Sequence, residues 1–460
     1  MRLKSALFLM TCIFLGSFLS YLGMGCAQIG APTGGTKDTL APRLMKAIPT
    51  ENKVQFKGNK IVFTFDEYID LQEVQSNVLV SPLTKFNPQI DAKLKTVTVK
   101  FKDSLLPNTT YSINFGDAIK DVNEGNPFKN FTYVFSTGNY IDSFGLKGKI
   151  VMAETGLPDS SMVAMLYKNL ADSAVKKLKP DYIARLKGDG SFAFRNLPAG
   201  QFNLFALKDG DGSKNYNNKE EVFAFNNQSI NINSNNAAVS LFAFSEIKPT
   251  VKAPLIANTE KKLKYSTPII NGRQDLLSNL QLSFNKSLKI FDTSKIILTD
   301  TNHNRLATVL TIDSTRKIVS LATNWKEDSY YLLIIPKEAV ADSNNTPLAK
   351  TDSLLFGTKR ESDYGNVIFR FSNIDFAKKP VLQFVSGEEI TNSYPLTTLE
   401  WSSKLFIPGE YEIRILLDDN GNGKWDGGSY DKKRQPEKVI PIKQKISIRP
   451  NFDNEKEISL

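Results

Sequence analysis

Along most of the chain, apolar and polar residues alternate with a period of two over short segments. In YEIRILL, which starts at Tyr411, three apolar side chains fall on one side, with Glu412 and Arg414 on the other. TYSINF, which starts at Thr110, groups its tyrosine, isoleucine and phenylalanine in the same way. This period is typical of strands whose sheet packs on one face. Turn residues separate many such segments, and the pattern predicts an all-β protein built of β-sandwiches.

Two different segments of the chain each occur twice. IVFTFDEYID from Ile61 and the segments that follow it have counterparts about 220 residues later, starting with LQLSFNKSLKI at Leu280. Between and after these lies a second pair, in which LPAGQFNLFALKDGDGSKNYN from Leu197 matches IPGEYEIRILLDDNGNGKWD from Ile407. The sequence therefore predicts four tandem modules in the order A-B-A′-B′.

The A modules resemble the bacterial Ig-like domain of S-layer-type proteins. The resemblance is carried by IVFTFDEYID, by the strand LPNTTYSINF, and by the turn AIKDVNEGNP that contains Asp121. It covers residues 43–139 and, in a more divergent form, 263–359, where Asp342 occupies the same turn. The resemblance implies an Ig-like β-sandwich.

The first B module is similar to carboxypeptidase-regulatory or transthyretin-like β-sandwiches. GLKGKIV from Gly145 and GDGSFAFRNLPAGQFNLFAL from Gly188 carry this resemblance, together with the Asp-rich turn that follows. The whole layout resembles Ig-like-domain lipoproteins of Bacteroidota, which implies an architecture and a location but no activity. The predicted divisions are a signal peptide at 1–25, a flexible tether at 26–42, A at 43–139, B at 140–245, a linker at 246–266, A′ at 267–359 and B′ at 360–460.

The first residues have a short basic start and an apolar run that ends in small residues before Cys26. This arrangement resembles a bacterial lipoprotein signal peptide, although Gly23 stands where that motif usually has leucine. A retained transmembrane anchor is the alternative. The resemblance implies that Cys26 carries lipid and that the protein sits in the cell envelope, on either face of the outer membrane. Cys12 lies within the signal, so the remaining chain is expected to fold without a disulfide.

The formal charge of +10 comes from lysines scattered along strands and linkers, without a tight basic cluster interleaved with aromatics. The charge therefore indicates a solvated basic surface, and we expect no nucleic-acid partner. His303 is the one histidine of the chain, and its TDTNHNRL context predicts a hairpin tip. One histidine without a mature cysteine pair or a nucleophile elbow builds neither a zinc site nor a catalytic triad.

Acidic pairs such as Asp66 with Glu67 are candidates for glycosidase chemistry. In the A′ module, however, their places are taken by Asn285 and Lys286, which disfavours a shared catalytic role. We expect a non-enzymatic scaffold or adhesion protein that binds an envelope protein or a glycan. An accessory carbohydrate-binding or glycan-processing role is the alternative.

The Asp-rich turns of the two B modules are the remaining candidates for chemistry. Oxygen-bearing side chains stand at alternating positions, the arrangement by which a loop wraps Ca²⁺. The first copy fills places 1, 3, 5, 7, 9 and 12 with Asp209, Asp211, Ser213, Asn215, Asn217 and Glu220. The second copy fills places 1, 3, 5 and 9 with Asp418, Asn420, Asn422 and Asp426.

Two interpretations of these loops stay open. The second loop resembles the calcium-binding turns of staphylococcal surface B-type repeats. A structural Ca²⁺ in either loop would bind with the weak affinity of extracellular modules, about 10⁻⁴ to 10⁻³ M. The first copy has Lys214 at the sixth place, where the EF-hand has glycine, and Ser429 stands at the twelfth place of the second. Asn, Asp and Gly also form hairpin turns without any metal, because they tolerate left-handed backbone and satisfy their own amides.

Overall fold

A computed structural model describes residues 37–233, 238–248, 262–387 and 389–460. The predicted signal peptide, Cys26, most of the tether and residues 249–261 of the predicted linker lie outside the described residues. The chain divides into two compact units, with the boundary between Ile141 and Asp142. In both units nearly all regular structure is β-strand, as predicted.

From residue 37 onward, the first unit has nine strands and one short helix, α1 (Val74–Asn77). The strands are β1 (Leu44–Ile48), β2 (Lys60–Phe65), β3 (Ile69–Leu71), β4 (Leu79–Ser81), β5 (Gln89–Lys93), β6 (Thr96–Lys100), β7 (Thr110–Asn114), β8 (Ile119–Asp121) and β9 (Thr132–Ser136). They form the sheets β1-β2-β6-β5, β4-β7-β9 and β3-β8, here called the first sandwich. Apolar side chains of the two larger sheets meet in one core, where the Phe63 and Tyr133 rings lie edge to face at 5.1 Å.

The second unit begins with a sandwich of a three-stranded sheet, β13-β10-β17, and a five-stranded sheet, β12-β11-β14-β15 with β16 on β14. We call it the second sandwich; it also carries the short helix α2 (Ala174–Lys177). Its strands are β10 (Phe144–Met152), β11 (Val163–Tyr167), β12 (Tyr182–Arg185), β13 (Ser191–Leu197), β14 (Gly200–Leu207), β15 (Phe223–Phe225), β16 (Ile230–Ile232) and β17 (Val239–Ala243).

The third sandwich has the strand order of the first with one added edge strand, β19, and its sheets are β18-β20-β24-β23, β19-β27-β25-β22 and β21-β26. A 3-10 turn (Lys337–Ala339) precedes its strand β26. Its strands are β18 (Tyr265–Ser266), β19 (Arg273–Gln274), β20 (Leu280–Phe284), β21 (Leu288–Phe291), β22 (Ile297–Asp300), β23 (Val309–Ile312), β24 (Ile318–Ala322), β25 (Tyr330–Ile335), β26 (Val340–Asp342) and β27 (Asp352–Thr358).

The fourth sandwich resembles the second, with the sheets β31-β28-β34 and β30-β29-β32-β33, and its single long strand β33 takes the places of β15 and β16. In both, the first strand pairs in parallel with the last: β10 with β17, and β28 with β34. Its 3-10 turns are Glu361–Asp363 and Phe376–Lys378. Its strands are β28 (Gly365–Ser372), β29 (Pro380–Ser386), β30 (Glu389–Pro395), β31 (Glu400–Phe406), β32 (Gly409–Leu417), β33 (Lys438–Ile448) and β34 (Asp453–Ser459).

The strand preceding each Asp-rich loop departs from the expected one-sided alternation. On β14, Leu204 and Ala206 face the sandwich core, but Phe205 and Leu207 on the opposite side are also buried. On β32, Arg414 was expected on an exposed polar side, yet it is 9% exposed. The outer faces of these sheets are therefore covered, and the covering segments include the Asp-rich loops themselves.

Candidate cation-binding loops

The first acidic loop joins β14 to β15 and spans residues 208–222. Its carboxylates Asp209, Asp211 and Glu221 each bring an oxygen to within 4.8 Å of the others. One oxygen of Asp209, Oδ2, accepts a hydrogen bond from the Lys214 amide at 3.2 Å. The other, Oδ1, is fully buried and has no hydrogen-bond partner. A buried carboxylate oxygen without a donor is costly unless a cation or a proton joins it.

The remaining two carboxylates of this group differ in their surroundings. Asp211 accepts hydrogen bonds from the Asn217 side chain and the Ser213 backbone amide, and its bonds to these two residues hold its pKa well below the ordinary value. Burial raises the pKa of Glu221, and the nearby charges of Asp211 and Asp209 add to the increase. The negative charges are therefore close enough to oppose one another, which a bound cation would relieve.

The other residues predicted for the first loop have separate positions. Ser213 and Asn217 lie beside Asp211, where the Asn217 amide nitrogen also donates to Ser213 Oγ at 3.2 Å. The Asn215 side chain, with its amide oriented to donate, faces the carbonyls of Lys214 and Leu178 instead. Glu220 is exposed, and the structure brings Glu221 rather than Glu220 to the two aspartates. The twelve-place spacing presumes an exit into a helix, whereas this loop exits into β15.

The second acidic loop joins β32 to β33 and spans residues 418–437. Asp418 is 2% exposed and accepts the backbone amides of Gly421, Asn422 and Gly423 at 2.7, 3.2 and 2.6 Å. Gly423 has a φ of 74° and the equivalent Lys214 a φ of 57°, so both loops turn at the sixth place through left-handed backbone.

Asp426 closes the second loop. Its Oδ2 accepts the side-chain amides of Asn420 and Asn422, and its own backbone amide donates to Glu437 Oε2 at 2.9 Å. Glu437 is 6% exposed, and this burial raises its pKa, as do the charges of Asp418 and Asp426. A third carboxylate that the sequence pattern missed therefore approaches this loop too.

The strand registers show that Glu221 and Glu437 are equivalent. Leu207 pairs with Phe223, and Leu416 pairs with Val439, so each glutamate stands two residues before the matching position of the returning strand. In both loops this glutamate accepts the backbone amide of the residue at the ninth place. An alignment of the strands that follow the loops, instead of the loop sequences, would have matched Glu221 with Glu437.

The third and ninth places of the two loops carry an acid and an amide in opposite order. In the first loop the third place is Asp211 and the ninth is Asn217, and their side chains are hydrogen bonded. In the second loop the third place is Asn420 and the ninth is Asp426, again hydrogen bonded to each other. Each loop thus keeps an acid–amide pair between its third and ninth places, beside the entrance aspartate and the glutamate before the returning strand. Hard oxygen donors of this kind fit Ca²⁺, and neither loop offers the nitrogen or sulfur ligands that zinc prefers.

Other acidic residues are engaged in holding turns. Asp121 is 3% exposed; although burial opposes ionisation, the amides of Glu124, Asn126 and Gly125 hold its pKa below the ordinary value. The equivalent Asp342 accepts the Thr346 amide at 2.8 Å and pairs with Lys286 at 3.1 Å. These carboxylates organise the backbone rather than face a substrate.

The residues considered as catalytic candidates, His303, Asp66 and Glu67, do not belong to the acidic loops. His303 is exposed in a turn with a φ of 61°, where its amide donates to the Asp300 carbonyl. Asp66 pairs with Arg43 at 2.9 Å, and this partner lowers its pKa, while burial raises the pKa of Glu67.

Residues 38–137 match the bacterial Ig-like domain family. A search of curated proteins found no match. Among solved structures, the major pilin subunit BcpA of Bacillus cereus is 11% identical, with 69% of this chain and 99% of that chain covered and a TM-score of 0.17. The Bacillus anthracis TIE protein is 10% identical, covering 93% and 76%, with a TM-score of 0.17. The fibronectin(III)-like modules of Clostridium thermocellum CbhA are 10% identical, covering 42% and 94%, with a TM-score of 0.14.

Similarity to solved structures at this level says nothing about function. No helix among the described residues is long and apolar enough to cross a membrane. The chain thus carries an Ig-like domain at residues 38–137 within an all-β architecture whose strand orders recur.

Proposed function

We propose that this protein is a non-enzymatic, lipid-anchored scaffold of the bacterial cell envelope, with four sandwich modules in A-B-A′-B′ order. The main support for this proposal is that buried polar residues of the recurring sandwiches hold turns in place. Buried carboxylates such as Asp121 and Asp418 accept the backbone amides of their own turns. These side chains stabilise the turns of the sandwiches, and a scaffold protein depends on such a rigid fold.

Anchoring is assigned to Cys26, through the resemblance of the first residues to a lipoprotein signal. Each buried CH₂ of an attached acyl chain gives about 0.8 kcal/mol of membrane affinity. Metabolic labelling with a palmitate analogue tests this assignment. We expect label on the wild-type protein and none on Cys26→Ser, with Cys12→Ser as the matched control that keeps its label. Label that persists on Cys26→Ser would contradict lipid attachment at this residue.

The second part of the proposal is that the two acidic loops hold structural Ca²⁺. Asp209, Asp211 and Glu221 would supply the ligands of the first loop, and Asp418, Asp426 and Glu437 those of the second. The three carboxylates of the first loop bring oxygens within 4.8 Å of one another, and in the second loop the charges of Asp418 and Asp426 raise the pKa of Glu437. A cation bound among such charges would relieve their repulsion and stabilise the sandwich. The buried, unpartnered Oδ1 of Asp209 is the specific support for the first loop.

Glycan binding is a second candidate function, supported by a cavity of about 610 Å³ in the third sandwich. Tyr330 on its wall is 49% exposed, and the Arg273 guanidinium lies 5.5 Å from the centre of its ring. Asp328 on the same wall pairs with Arg273 and Arg360, so this carboxylate suits recognition better than acid catalysis. Glycan-array binding that is lost in Tyr330→Ala would support this role, and equal binding by the variant would exclude Tyr330 from it.

A further inference from the structure

The second acidic loop contains an insertion that the first lacks. Between the paired residues Leu207 and Phe223 the connecting segment is 208–222, whereas between Leu416 and Val439 it is 417–438, seven residues longer. The extra length follows the ninth place, Asp426. We call residues 427–435, which include the insertion, the clasp.

The clasp lies against the outer face of the second sandwich, and Tyr430 is its centre. Tyr430 is 3% exposed, and its ring lies 5.7, 5.3 and 5.2 Å from the rings of Phe205, Phe223 and Phe225. Its hydroxyl donates to the Asp172 carbonyl at 2.9 Å. The apolar outer face of β14 and β15, unexpected from a one-sided pattern, is therefore explained by the clasp that covers it.

A buried carboxylate fixes the clasp backbone. The Glu246 side chain is 7% exposed and accepts the Tyr430 amide at 3.0 Å, the Ser429 hydroxyl at 3.2 Å and the Tyr216 hydroxyl at 2.9 Å. Although burial opposes ionisation, these donors and the Lys219 ammonium hold the pKa of Glu246 below its ordinary value. Charged hydrogen bonds in a buried site are among the stronger polar contacts of a protein.

Ion pairs surround this centre. Asp431 pairs with Lys176 and Lys219 of the second sandwich, and these lower its pKa to about 2. Lys433 pairs with Asp172, and its ammonium lies 4.0 Å from the centre of the Tyr430 ring. The clasp and its docking surface thus present opposite charges in matched places, which sets the register of docking.

The clasp also depends on close backbone approach. A Cβ at Gly428 would lie 2.5 Å from the Phe244 ring, so only glycine fits there without displacement. Beyond the clasp, the Val439 amide donates to the Ala153 carbonyl at 2.9 Å, which joins the two sandwiches at a second point. Contacts at two points resist rotation as well as separation.

From these contacts we infer that the clasp is a mechanical shortcut: it fastens the fourth sandwich directly to the second, so that tension along the chain bypasses the third. Ser429 and Glu246 are 183 residues apart in sequence, and the third sandwich lies within that interval. A pull transmitted from the second to the fourth sandwich loads the clasp first. The third sandwich carries load only after the clasp opens. This inference requires neither the lipid anchor nor a bound cation.

Single-molecule force spectroscopy on the full chain, held at its two ends, tests the order of events. In the wild type we expect the clasp to open before the third sandwich unfolds. Unfolding of residues 265–358 then adds roughly 300 Å of length, at about 3.3–3.6 Å per residue. In Tyr430→Ala the clasp event should be lost or move to much lower force, while the later step keeps its length. Unfolding of the third sandwich before clasp opening in the wild type would overturn the shortcut.

Hydrogen exchange provides the equilibrium test, since the residue 430 amide bonds to Glu246. We expect its protection to fall roughly 10²- to 10³-fold in Tyr430→Ala, by analogy with large-to-small core substitutions. Tyr430→Phe is the matched control, which keeps the ring but loses the bond to Asp172. It should lose far less protection. Unchanged protection in Tyr430→Ala would show that the clasp contacts do not hold the sandwiches together.

Charge exchange separates docking from folding. Lys433→Asp and Asp172→Lys should each weaken the clasp several-fold, and the double variant should recover most of the loss because the pair is re-formed with its sign reversed. Sedimentation of the wild type completes the test. A dimer that Tyr430→Ala converts to monomer would mean that the clasp joins two chains, and the intramolecular shortcut would be wrong.

Discussion

If the first acidic loop holds Ca²⁺ as proposed, the ion should stabilise the fold by an amount that follows from its affinity. At a free Ca²⁺ of about 5 mM and a dissociation constant of about 10⁻⁴ to 10⁻³ M, typical of extracellular sites, one occupied site adds about 1 to 2 kcal/mol to the free energy of unfolding. For a cooperative unit of a few hundred residues, this corresponds to a rise in melting temperature of roughly 2–8 °C. Asp209→Asn removes the carboxylate whose Oδ1 is buried without a partner and should abolish the first loop's share of that rise.

The assay is calorimetric melting of the full chain in Ca²⁺, in Mg²⁺ and in chelator. The double variant Asp211→Asn with Asn217→Asp is the matched control, since it gives the first loop the acid and amide order of the second. It should keep the calcium-dependent rise, whereas Asp211→Asn alone should reduce it. If the melting temperature of the wild type rises no more in Ca²⁺ than in Mg²⁺, the loops are polar turns without a specific calcium site.

Three further predictions concern pH, a buried charge and the clasp. The folded-state pKa of Glu221 is raised, so without Ca²⁺ this residue contributes stability at pH values below the ordinary pKa of glutamate, and the contribution is lost as pH rises through the folded pKa. The melting temperature in chelator should therefore fall between pH 4 and pH 7, and it should fall more in the wild type than in Glu221→Gln. Parallel curves for the two proteins would contradict this. Asp342→Ala removes a fully buried carboxylate that accepts the Thr346 amide and pairs with Lys286, and it should lower the melting temperature by several degrees, more than Lys286→Met, which keeps the bond to that amide; equal losses would show that the turn bond is unimportant. Gly428→Ala should increase deuterium uptake in the clasp about tenfold or more through its contact with Phe244, and unchanged uptake would show that the backbone can shift.

The period-two pattern was sufficient to predict the fold class, because one-sided burial is a local property of each strand. It was insufficient where a sheet is covered on both faces. Phe205 stands out of phase with Leu204 and Ala206, yet it is buried by Tyr430, more than two hundred residues later. No local period encodes a partner that distant. The residue itself was the available signal, since a phenylalanine on a nominally exposed face requires a cover.

The loops were predictable as a pair, but which carboxylates lie close together in each was not. Matching Asp209 to Asp418 aligns the loop entrances, and the structure shows the same turn in each. The glutamates Glu221 and Glu437 were missed because the insertion shifts one relative to the other, and strand register is what makes them equivalent. Glu220 fits the twelve-place spacing, but the strand exit places its neighbour at the aspartates instead.

Fractionation of cells that produce the full chain or Cys26→Ser tests whether the protein is a lipid-anchored envelope scaffold. We expect the wild-type protein to sediment with outer-membrane vesicles and to be released only by detergent, whereas Cys26→Ser should be recovered in the soluble fraction with an unchanged melting profile. Equal recovery of both proteins in the membrane fraction, or of both in the soluble fraction, would contradict it.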